Sequence, residues 1–223
     1  RFVCKDNRPP EFSRNRVLEQ PSFDYAKVCL PPSSYGQEKQ KIEQRMPAAL
    51  EFIRKHKLNE QLDGTKKELG IILQGGMYNA VIRALQRLGL ADSFGNSEIP
   101  LYLLNVTYPL LPEEFAEFCE GKQSVLLVEE SQPAFIEQAA HAFLRQAGLD
   151  TVIHGKDVLP VAGEYTGEVV LTGVTRFLEQ GKLPARTKTK LRRPLKQIKA
   201  LKEKAKELLE NPVPARPPGF CVG

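Results

Sequence analysis

The feature of this sequence that most constrains its fold is an alternation of short apolar runs with longer amphipathic stretches. The runs lie at residues 69–73, 100–106, 124–128 and 151–154. Short, largely apolar runs are typical of strands that are buried on both faces of a sheet. Each run is separated from the next by a stretch long enough for the crossover connection that parallel strands require. The sequence therefore predicts a three-layer, doubly wound α/β fold with a mainly parallel sheet over residues 65–181.

The stretches between and around the runs predict the helices of this fold. The expected helices lie at residues 36–57, at 79–88, in a short segment opened by Pro112, between Pro133 and Gly148, and at 170–178. Proline suits the first helical position, and the carboxylates of Glu113 and Glu114 suit the positive end of the helix dipole. Pro47 lies inside the first of these helices, and we expect it to kink that helix or to start a second one.

Four further segments flank the predicted α/β domain. They are an extended, proline-rich lead-in at 1–35, an N-terminal helix at 36–64, a basic linker and helix at 182–211, and an extended tail at 212–223. The last helix is expected to begin at Pro194 and to lay its apolar side on a neighbouring domain. The chain begins with Arg1 and ends in a tail that builds no core, so we expect it to be an interior piece of a longer protein.

The net charge of +5 belongs to one segment and not to the whole chain. Residues 182–206 hold eleven Lys and Arg against one acid, Glu203, and the remaining residues have a net charge of about −5. A basic segment can bind nucleic acid, but this one lacks the interleaved aromatic residues on which single-stranded bases stack. A solvent-exposed linker is the favoured interpretation, and no nucleic-acid partner is expected.

The cysteines and the hydropathy of the chain indicate a cytoplasmic protein. Cys4, Cys29, Cys119 and Cys221 are widely spaced and form no internal C-x-x-C pair, as is usual for reduced thiols. Cys119 lies in an apolar-periodic stretch and is expected to be a core residue. No apolar run approaches the roughly 18 residues of a membrane helix, so no membrane partner is expected.

Two glycines and an asparagine follow the first predicted strand, at the edge of the sheet where α/β folds collect their binding sites. Gly75 and Gly76 stand between that strand and a helix containing Asn79. Such a turn can bind phosphate, but neither the full G-x-G-x-x-G pattern nor a P-loop pattern is present. A tight turn with a close backbone approach is the favoured alternative.

Polar residues also follow the second and third strands at the same edge. Thr107 and Tyr108 precede Pro109, and they are suited to lining a pocket or an interface. Glu129 and Glu130 end the third strand, and paired carboxylates can transfer protons or bind a metal. No His or Cys is close in sequence to complete such a site, so an edge pair that contacts a neighbouring domain is favoured.

Six segments, in order, resemble the large subunit of indolepyruvate ferredoxin oxidoreductase. They lie at residues 47–59, 70–79 (GIILQGGMYN), 107–112 (TYPLLP, with one extra Leu), 128–130 (VEE), 154–157 (HGKD) and 216–223 (RPPGFCVG). The resemblance implies that residues 65–181 are a transketolase-C-terminal-like domain between two thiamine-binding domains. It implies an enzyme that oxidatively decarboxylates aryl 2-oxoacids to acyl-CoA with thiamine diphosphate, Mg²⁺ and iron–sulfur clusters, and that passes electrons to ferredoxin.

The resemblance also assigns roles to particular residues of this chain. Cys221 would be an iron–sulfur ligand in the parent enzyme only, because a lone cysteine cannot hold a cluster. We expect no catalytic residue and no bound cofactor within this chain. Its partners would be the other domains of a homo-oligomeric enzyme, reached through Gly75, Gly76, Asn79, Thr107, Tyr108, Glu129 and Glu130. The alternatives are a free-standing nucleotide- or anion-binding module at the glycine turn and a nucleic-acid-associated protein.

Overall fold

The computed structural model describes residues 30–181 and 185–207. The chain divides into two compact units, Arg1–Met46 and Pro47–Gly223. The predicted lead-in to residue 29, the tail from 208 onward, and with them Cys4, Cys29 and Cys221 lie outside the described residues. Among the described residues, no helix is long and apolar enough to cross a membrane.

The first helices run from residue 33 to residue 56 in two α-helices joined by a π-helical turn. Helix α1 spans Ser33–Gln40, the π-helical turn spans Lys41–Arg45, and α2 spans Met46–His56. Pro47 lies in the first turn of α2, and Met46 before it has helical backbone angles (φ −67°, ψ −47°). No separate helix start is therefore seen at Pro47, and the departure from regular α-helix is the π-helical turn directly before it.

A five-stranded sheet forms the centre of the second unit. Its strands are β1 (Glu60–Leu62), β2 (Leu69–Gln74), β3 (Leu101–Leu104), β4 (Ser124–Val128) and β5 (Val152–His154). They lie in the order β1-β3-β2-β4-β5, and every neighbouring pair is parallel except β1 with β3. The chain moves outward from β2 to β3 on one side and to β4 and β5 on the other, so the strand order reverses beside β2. This is the doubly wound topology that the apolar runs predicted.

Helices cover both faces of this sheet. The helices are α3 (Tyr78–Leu88), α4 (Pro112–Cys119), α5 (Phe135–Ala147), α6 (Gly167–Gln180) and α7 (Ala185–Glu207). Ile71 and Leu73 of β2 pack in a cluster with α3, α6 and α7, whereas Ile72 packs in a second cluster with α4 and α5. Neighbouring residues of a strand point to opposite faces, so β2 is buried on both. The predicted three-layer α/β fold is confirmed.

Strand β1 was not predicted from the sequence. Glu60 and Gln61 are exposed and Leu62 is half-buried, so the strand carries no apolar alternation that would reveal it. The strand pairs antiparallel with β3, and Gln61 lies opposite Tyr102. A short polar strand of this kind protects the edge of a sheet from pairing with another chain.

The last helix differs from its prediction in its start and in what it packs against. Helix α7 begins at Ala185 and contains Pro194 in its interior, whereas a linker up to residue 193 was expected. Leu191 is buried, and Leu195 and Ile198 pack against the same cluster as α3 and α6. This apolar spacing extends through the proline, and the packing compensates for the single hydrogen bond that the proline removes. The helix therefore packs its apolar side on this domain.

Cys119 provides a test of how tightly α4 packs on the sheet. Its thiol is fully buried, and burial raises its pKa to about 11 from a usual value of 9.0. Between these two pH values the folded thiol keeps a proton that the unfolded thiol has lost. We therefore expect the free energy of unfolding to fall by about 2 kcal/mol between pH 9 and pH 11 on account of this group. Urea unfolding measured across this range checks it, with Cys119→Ala expected to lose that part of the pH dependence; equal profiles for the two proteins would contradict it.

Candidate functional site at the carboxyl edge of the sheet

The loops after β2 and β4 meet at the point where the strand order reverses. The side-chain Oε1 of Gln74, the last residue of β2, accepts a hydrogen bond from the backbone N–H of Glu130 at 3.0 Å. A reversal of this kind opens a crevice in which α/β proteins bind their ligands. In this chain the side chain at the end of β2 bonds across that point to the backbone of the loop after β4.

The carboxylate of Glu129 is used inside the domain. Its side chain is 5% exposed, and its two oxygens accept hydrogen bonds from the N–H groups of Ile136 (3.0 Å) and Glu137 (3.1 Å) in the first turn of α5. A negative charge at this end of a helix stabilises the helix dipole and supplies acceptors for N–H groups that have no partner in the helix. The carboxylate of Glu129 is therefore buried against α5 within this domain, whereas the sequence interpretation placed it in an edge pair that contacts a neighbouring domain.

Lys156 joins the loop after β4 to the loop after β5. Its Nζ donates to the backbone oxygens of Glu129 and Ser131 (3.1 Å to the latter) and to the hydroxyl of Tyr165 at 2.8 Å. Burial lowers the pKa of Lys156, although the charges of Glu129, Glu137 and Glu130 act in the opposite direction. The ammonium group is thus placed where three oxygens replace the water that it has lost.

Tyr165 and Glu130 complete this network. The Tyr165 hydroxyl donates to the backbone oxygen of Pro160 at 2.7 Å, and its backbone N–H donates to Oε1 of Glu130. Burial raises the pKa of Tyr165 to about 12, so the phenol keeps its proton at neutral pH. Glu129, Glu130, Lys156 and Tyr165 therefore tie the loops after β4 and β5 together.

A second polar network holds the loop after β3. The hydroxyl of Tyr102 donates to Oε2 of Glu114 at 2.5 Å, and Nδ2 of Asn59 donates to the same carboxylate oxygen at 3.0 Å. Burial and the neighbouring Glu114 raise the pKa of Tyr102 well above its usual value. Oδ1 of Asn59 accepts from the backbone N–H of Val106 at 3.1 Å, which fixes the start of the loop that carries Thr107 and Tyr108.

Gly75 is explained by a close approach of the turn after β2 to the end of β3. A Cβ at this position would lie 2.6 Å from Oδ1 of Asn105. Nδ2 of Asn105 donates to the backbone oxygen of Leu58 (2.9 Å) and to Oε1 of Glu60 (2.8 Å), so its side chain is not free to turn aside. This geometry supports the tight-turn interpretation of the glycine pair.

The two adjacent glycines provide a matched test of this contact. We expect Gly75→Ala to lower the free energy of unfolding by about 1.5 kcal/mol, because Asn105 must give up part of its hydrogen bonding to make room. Gly76→Ala is the control: its Cβ would meet nothing within 4 Å, and we expect a change below about 0.5 kcal/mol. Chemical denaturation of both variants, followed by circular dichroism, measures the difference, and equal losses in the two would contradict the close-approach explanation.

The remaining sequence candidates lie on the outside of this edge. Gly76, Asn79 and Thr107 are exposed, and the ring of Tyr108 is 70% exposed. Gly76 is the middle residue of the turn into α3, Asn79 lies in the first turn of that helix, and Thr107 and Tyr108 follow β3. The structure thus divides the sequence candidates into an exposed group and an internal group of Gly75, Glu129 and Glu130.

Sequence reasoning did not identify several residues that organise this edge. Tyr165 was not singled out, and Asn59, Gln74 and Lys156 appeared only within motif segments and not as site residues. Asn59 and Gln74 bond to partners that lie 43 or more residues away in the sequence, so no local pattern reveals their roles. For Lys156, its position directly after a predicted strand is the signal that could have marked it as an edge residue.

Several comparisons with known proteins agree with one another. Residues 58–151 match the family described as the indolepyruvate ferredoxin oxidoreductase middle domain. The indolepyruvate oxidoreductase subunit IorA of Methanothermobacter marburgensis is 32% identical over 168 residues, which cover 74% of this chain and 22% of that protein. The subunit IorA of Thermococcus kodakarensis is 29% identical over 156 residues, covering 69% of this chain and 21% of that protein. This chain therefore spans about a fifth of the length of these curated relatives.

A solved structure is also similar in part. It is the 2-oxoglutarate:ferredoxin oxidoreductase from Magnetococcus marinus with 2-oxoglutarate, coenzyme A and succinyl-CoA bound. The similarity covers 65% of this chain and 23% of that chain, with 19% sequence identity and a TM-score of 0.42.

Proposed function

Because this chain belongs to the indolepyruvate ferredoxin oxidoreductase family, we propose that it supplies the middle, transketolase-C-terminal-like domain of a longer 2-oxoacid:ferredoxin oxidoreductase. In this proposal, other domains of the enzyme hold thiamine diphosphate, Mg²⁺ and the iron–sulfur clusters. The whole enzyme oxidatively decarboxylates an aryl 2-oxoacid, indolepyruvate in the named relatives, to an acyl-CoA and reduces ferredoxin. The part of this chain is to assemble the enzyme, as a homo-oligomer, and to support the active site.

One observation carries the structural part of the proposal: the polar groups at the carboxyl edge bond to one another. Glu129 binds the first turn of α5, Lys156 binds three oxygens, and Glu130 binds the backbone of Tyr165. Groups that are held in this way fix the shape of the loops and are poorly placed to exchange protons with a substrate. The edge is therefore suited to presenting rigid loops, on which Thr107 and Tyr108 are exposed, to a neighbouring domain.

The described residues do not fit the metal-containing cofactors of the proposed enzyme. Magnesium is held by free carboxylates and phosphates, but the carboxylates of Glu129 and Glu130 already accept backbone hydrogen bonds. Residues 30–181 and 185–207 contain no group of three or more His, Cys, Asp or Glu side chains that could hold a metal ion. Cys119 is buried, and its raised pKa opposes the thiolate form that an iron–sulfur cluster needs. No catalytic step is assigned to this chain.

Titration calorimetry of the purified chain tests the proposed division of labour. We expect no saturable heat with thiamine diphosphate and Mg²⁺, because the groups that would hold them belong to other domains. Saturable one-to-one binding of thiamine diphosphate would show that the domain has been placed wrongly. A second titration with CoA distinguishes a purely supporting domain, which gives no heat, from one whose edge loops contribute to the CoA site.

A further inference from the structure

Helix α7 and the end of α3 form a shallow groove on the surface of the domain, away from the candidate site. The groove has a volume of about 690 Å³ and is lined by Arg87, Pro194, Gln197, Ile198, Ala200, Leu201 and Lys204. Arg87 lies in the last turn of α3, and α3 begins at the carboxyl edge of β2. The groove therefore lies toward the opposite edge of the sheet from Tyr108 and the Lys156 network.

The floor of the groove is apolar and partly open to solvent. Pro194 and Ile198 are half-buried, and one turn further on Leu201 is 67% exposed. Ile198 packs on the cluster formed with α3 and α6, whereas Leu201 projects beyond it. A leucine at the end of an apolar stripe, beside a groove, offers an anchoring point for an apolar side chain of a partner.

The charges on the two sides of α7 differ. On the α6 side, Arg192 pairs with Glu179 (Nη2 to Oε2, 2.8 Å) and Lys202 pairs with Glu168, so basic residues meet acidic ones. On the α3 side, Arg87 of α3 and Lys204 of α7 both line the groove. Within the described part of the chain, neither of these two has an ion-pair partner. The groove thus combines an apolar floor with two uncompensated positive charges.

We propose that this groove is a docking site for an acidic amphipathic helix of a partner protein. Apolar side chains of that helix would pack on Ile198 and Leu201, and its carboxylates would pair with Arg87 and Lys204. This is the helix-in-groove mode of recognition, with charge complementarity that favours an acidic partner. The inference is independent of the proposed function, because it concerns neither the carboxyl edge nor the cofactors.

A protein partner fits this groove better than a nucleic acid does. The described part of α7 contains no aromatic residue on which a base could stack. An exposed leucine adds little to non-specific binding of a phosphate backbone, which is dominated by charge. An apolar floor with a basic rim is instead complementary to a helix that has one apolar and one acidic face.

The test uses the full chain and a fluorescently labelled helical peptide of Glu and Leu, with Leu at i, i+3, i+4 and i+7. A matched peptide with Ser in place of every Leu, and a labelled DNA duplex, are measured beside it by fluorescence anisotropy at low salt. We expect the Leu peptide to bind at least about tenfold more tightly than either of them. Equal binding of the two peptides, equal or tighter binding of the duplex, or no binding of the Leu peptide would each overturn the proposal.

Substitutions locate the binding to the groove. We expect Leu201→Ser to weaken binding of the Leu peptide about tenfold, and Arg87→Glu with Lys204→Glu to weaken it by a similar factor. The control is Lys199→Glu, which also reverses a positive charge. Lys199 is two residues from Leu201 and so lies on the opposite side of the helix, and we expect the affinity for the Leu peptide to change less than about twofold. All these side chains are exposed, so thermal unfolding should be unchanged. An equal effect of Lys199→Glu, or no effect of Leu201→Ser, would overturn the proposal.

Discussion

Gly64→Ala is expected to lower the free energy of unfolding by about 3 kcal/mol, near the upper end of what added volume costs in a packed interior. A Cβ at residue 64 would lie 2.5 Å from the backbone N of Pro100, 2.6 Å from the backbone O of Glu98 and 2.6 Å from the carbonyl C of Ile99. All three atoms belong to the main chain, so no side chain can rotate to make room. The clash must be relieved by moving either the β1–β2 connection or the segment that enters β3.

Neither of these segments is free to move. The backbone N–H of Lys66 donates to the oxygen of Glu98 at 2.7 Å, and the N–H of Ile71 donates to the oxygen of Pro100 at 3.0 Å. A shift of residues 98–100 would therefore disturb the pairing of β2 with β3. Gly167→Ala is the control, since a Cβ there would meet nothing within 4 Å. Urea unfolding of both variants measures the effect, and a loss in Gly64→Ala no larger than in Gly167→Ala would show that the connection adapts without cost.

Glu129→Ala is expected to cost about as much, roughly 3 kcal/mol, because it removes the acceptor of one buried and one half-buried N–H donor. Without the carboxylate, the N–H groups of Ile136 and Glu137 lose their acceptors, and the helix dipole of α5 loses its compensating charge. Glu129→Gln keeps one side-chain oxygen, so we expect it to lower the free energy of unfolding by about half as much as Glu129→Ala does. Glu120→Ala removes an exposed carboxylate and should change stability by less than about 0.5 kcal/mol.

Two measurements distinguish this role from a surface role. Denaturation gives the order of stability, which should be wild type, then Glu129→Gln, then Glu129→Ala. Hydrogen exchange should show faster exchange of the amides of Ile136 and Glu137 in Glu129→Ala, with little change in the centre of α3. If Glu129 instead lay at a domain interface, the stability of this chain alone would be the same in all three proteins.

The sheet and its covering helices were predictable because each buried strand carries its own local signal. The run at Ser124–Val128 is apolar enough to be read as a strand without any knowledge of its neighbours, and its bounds agree with the structure. Strand β1 has no such signal, since its place depends on pairing with β3 and not on burial. The start of α7 was misplaced because Pro194 was given more weight than the spacing of Leu191, Leu195 and Ile198.

The edge of the sheet was predictable in its position but not in its chemistry. The topology places Gly75, Thr107 and Glu129 at the same edge, as their positions after successive strands indicated. Whether a carboxylate there faces outward or binds a helix depends on where the next helix begins, and helix α5 begins close enough to bury Glu129. Lys156 likewise gains its role only when the loop with Tyr165 folds over it.

The most direct test of the proposed function is a graft of this chain into a longer relative. The aligned 168 residues would replace the corresponding fifth of the Methanothermobacter marburgensis subunit, and indolepyruvate-dependent reduction of ferredoxin would be measured with CoA present. We expect a folded graft to be active, and we expect Tyr108→Ala to reduce its activity without changing its thermal unfolding. Phe94→Ala, which alters another exposed ring, on the loop between α3 and β3, should leave the activity unchanged. A graft that folds and binds thiamine diphosphate but is inactive, or one in which Tyr108→Ala retains full activity, would contradict the proposal that this domain supports the active site through its carboxyl edge.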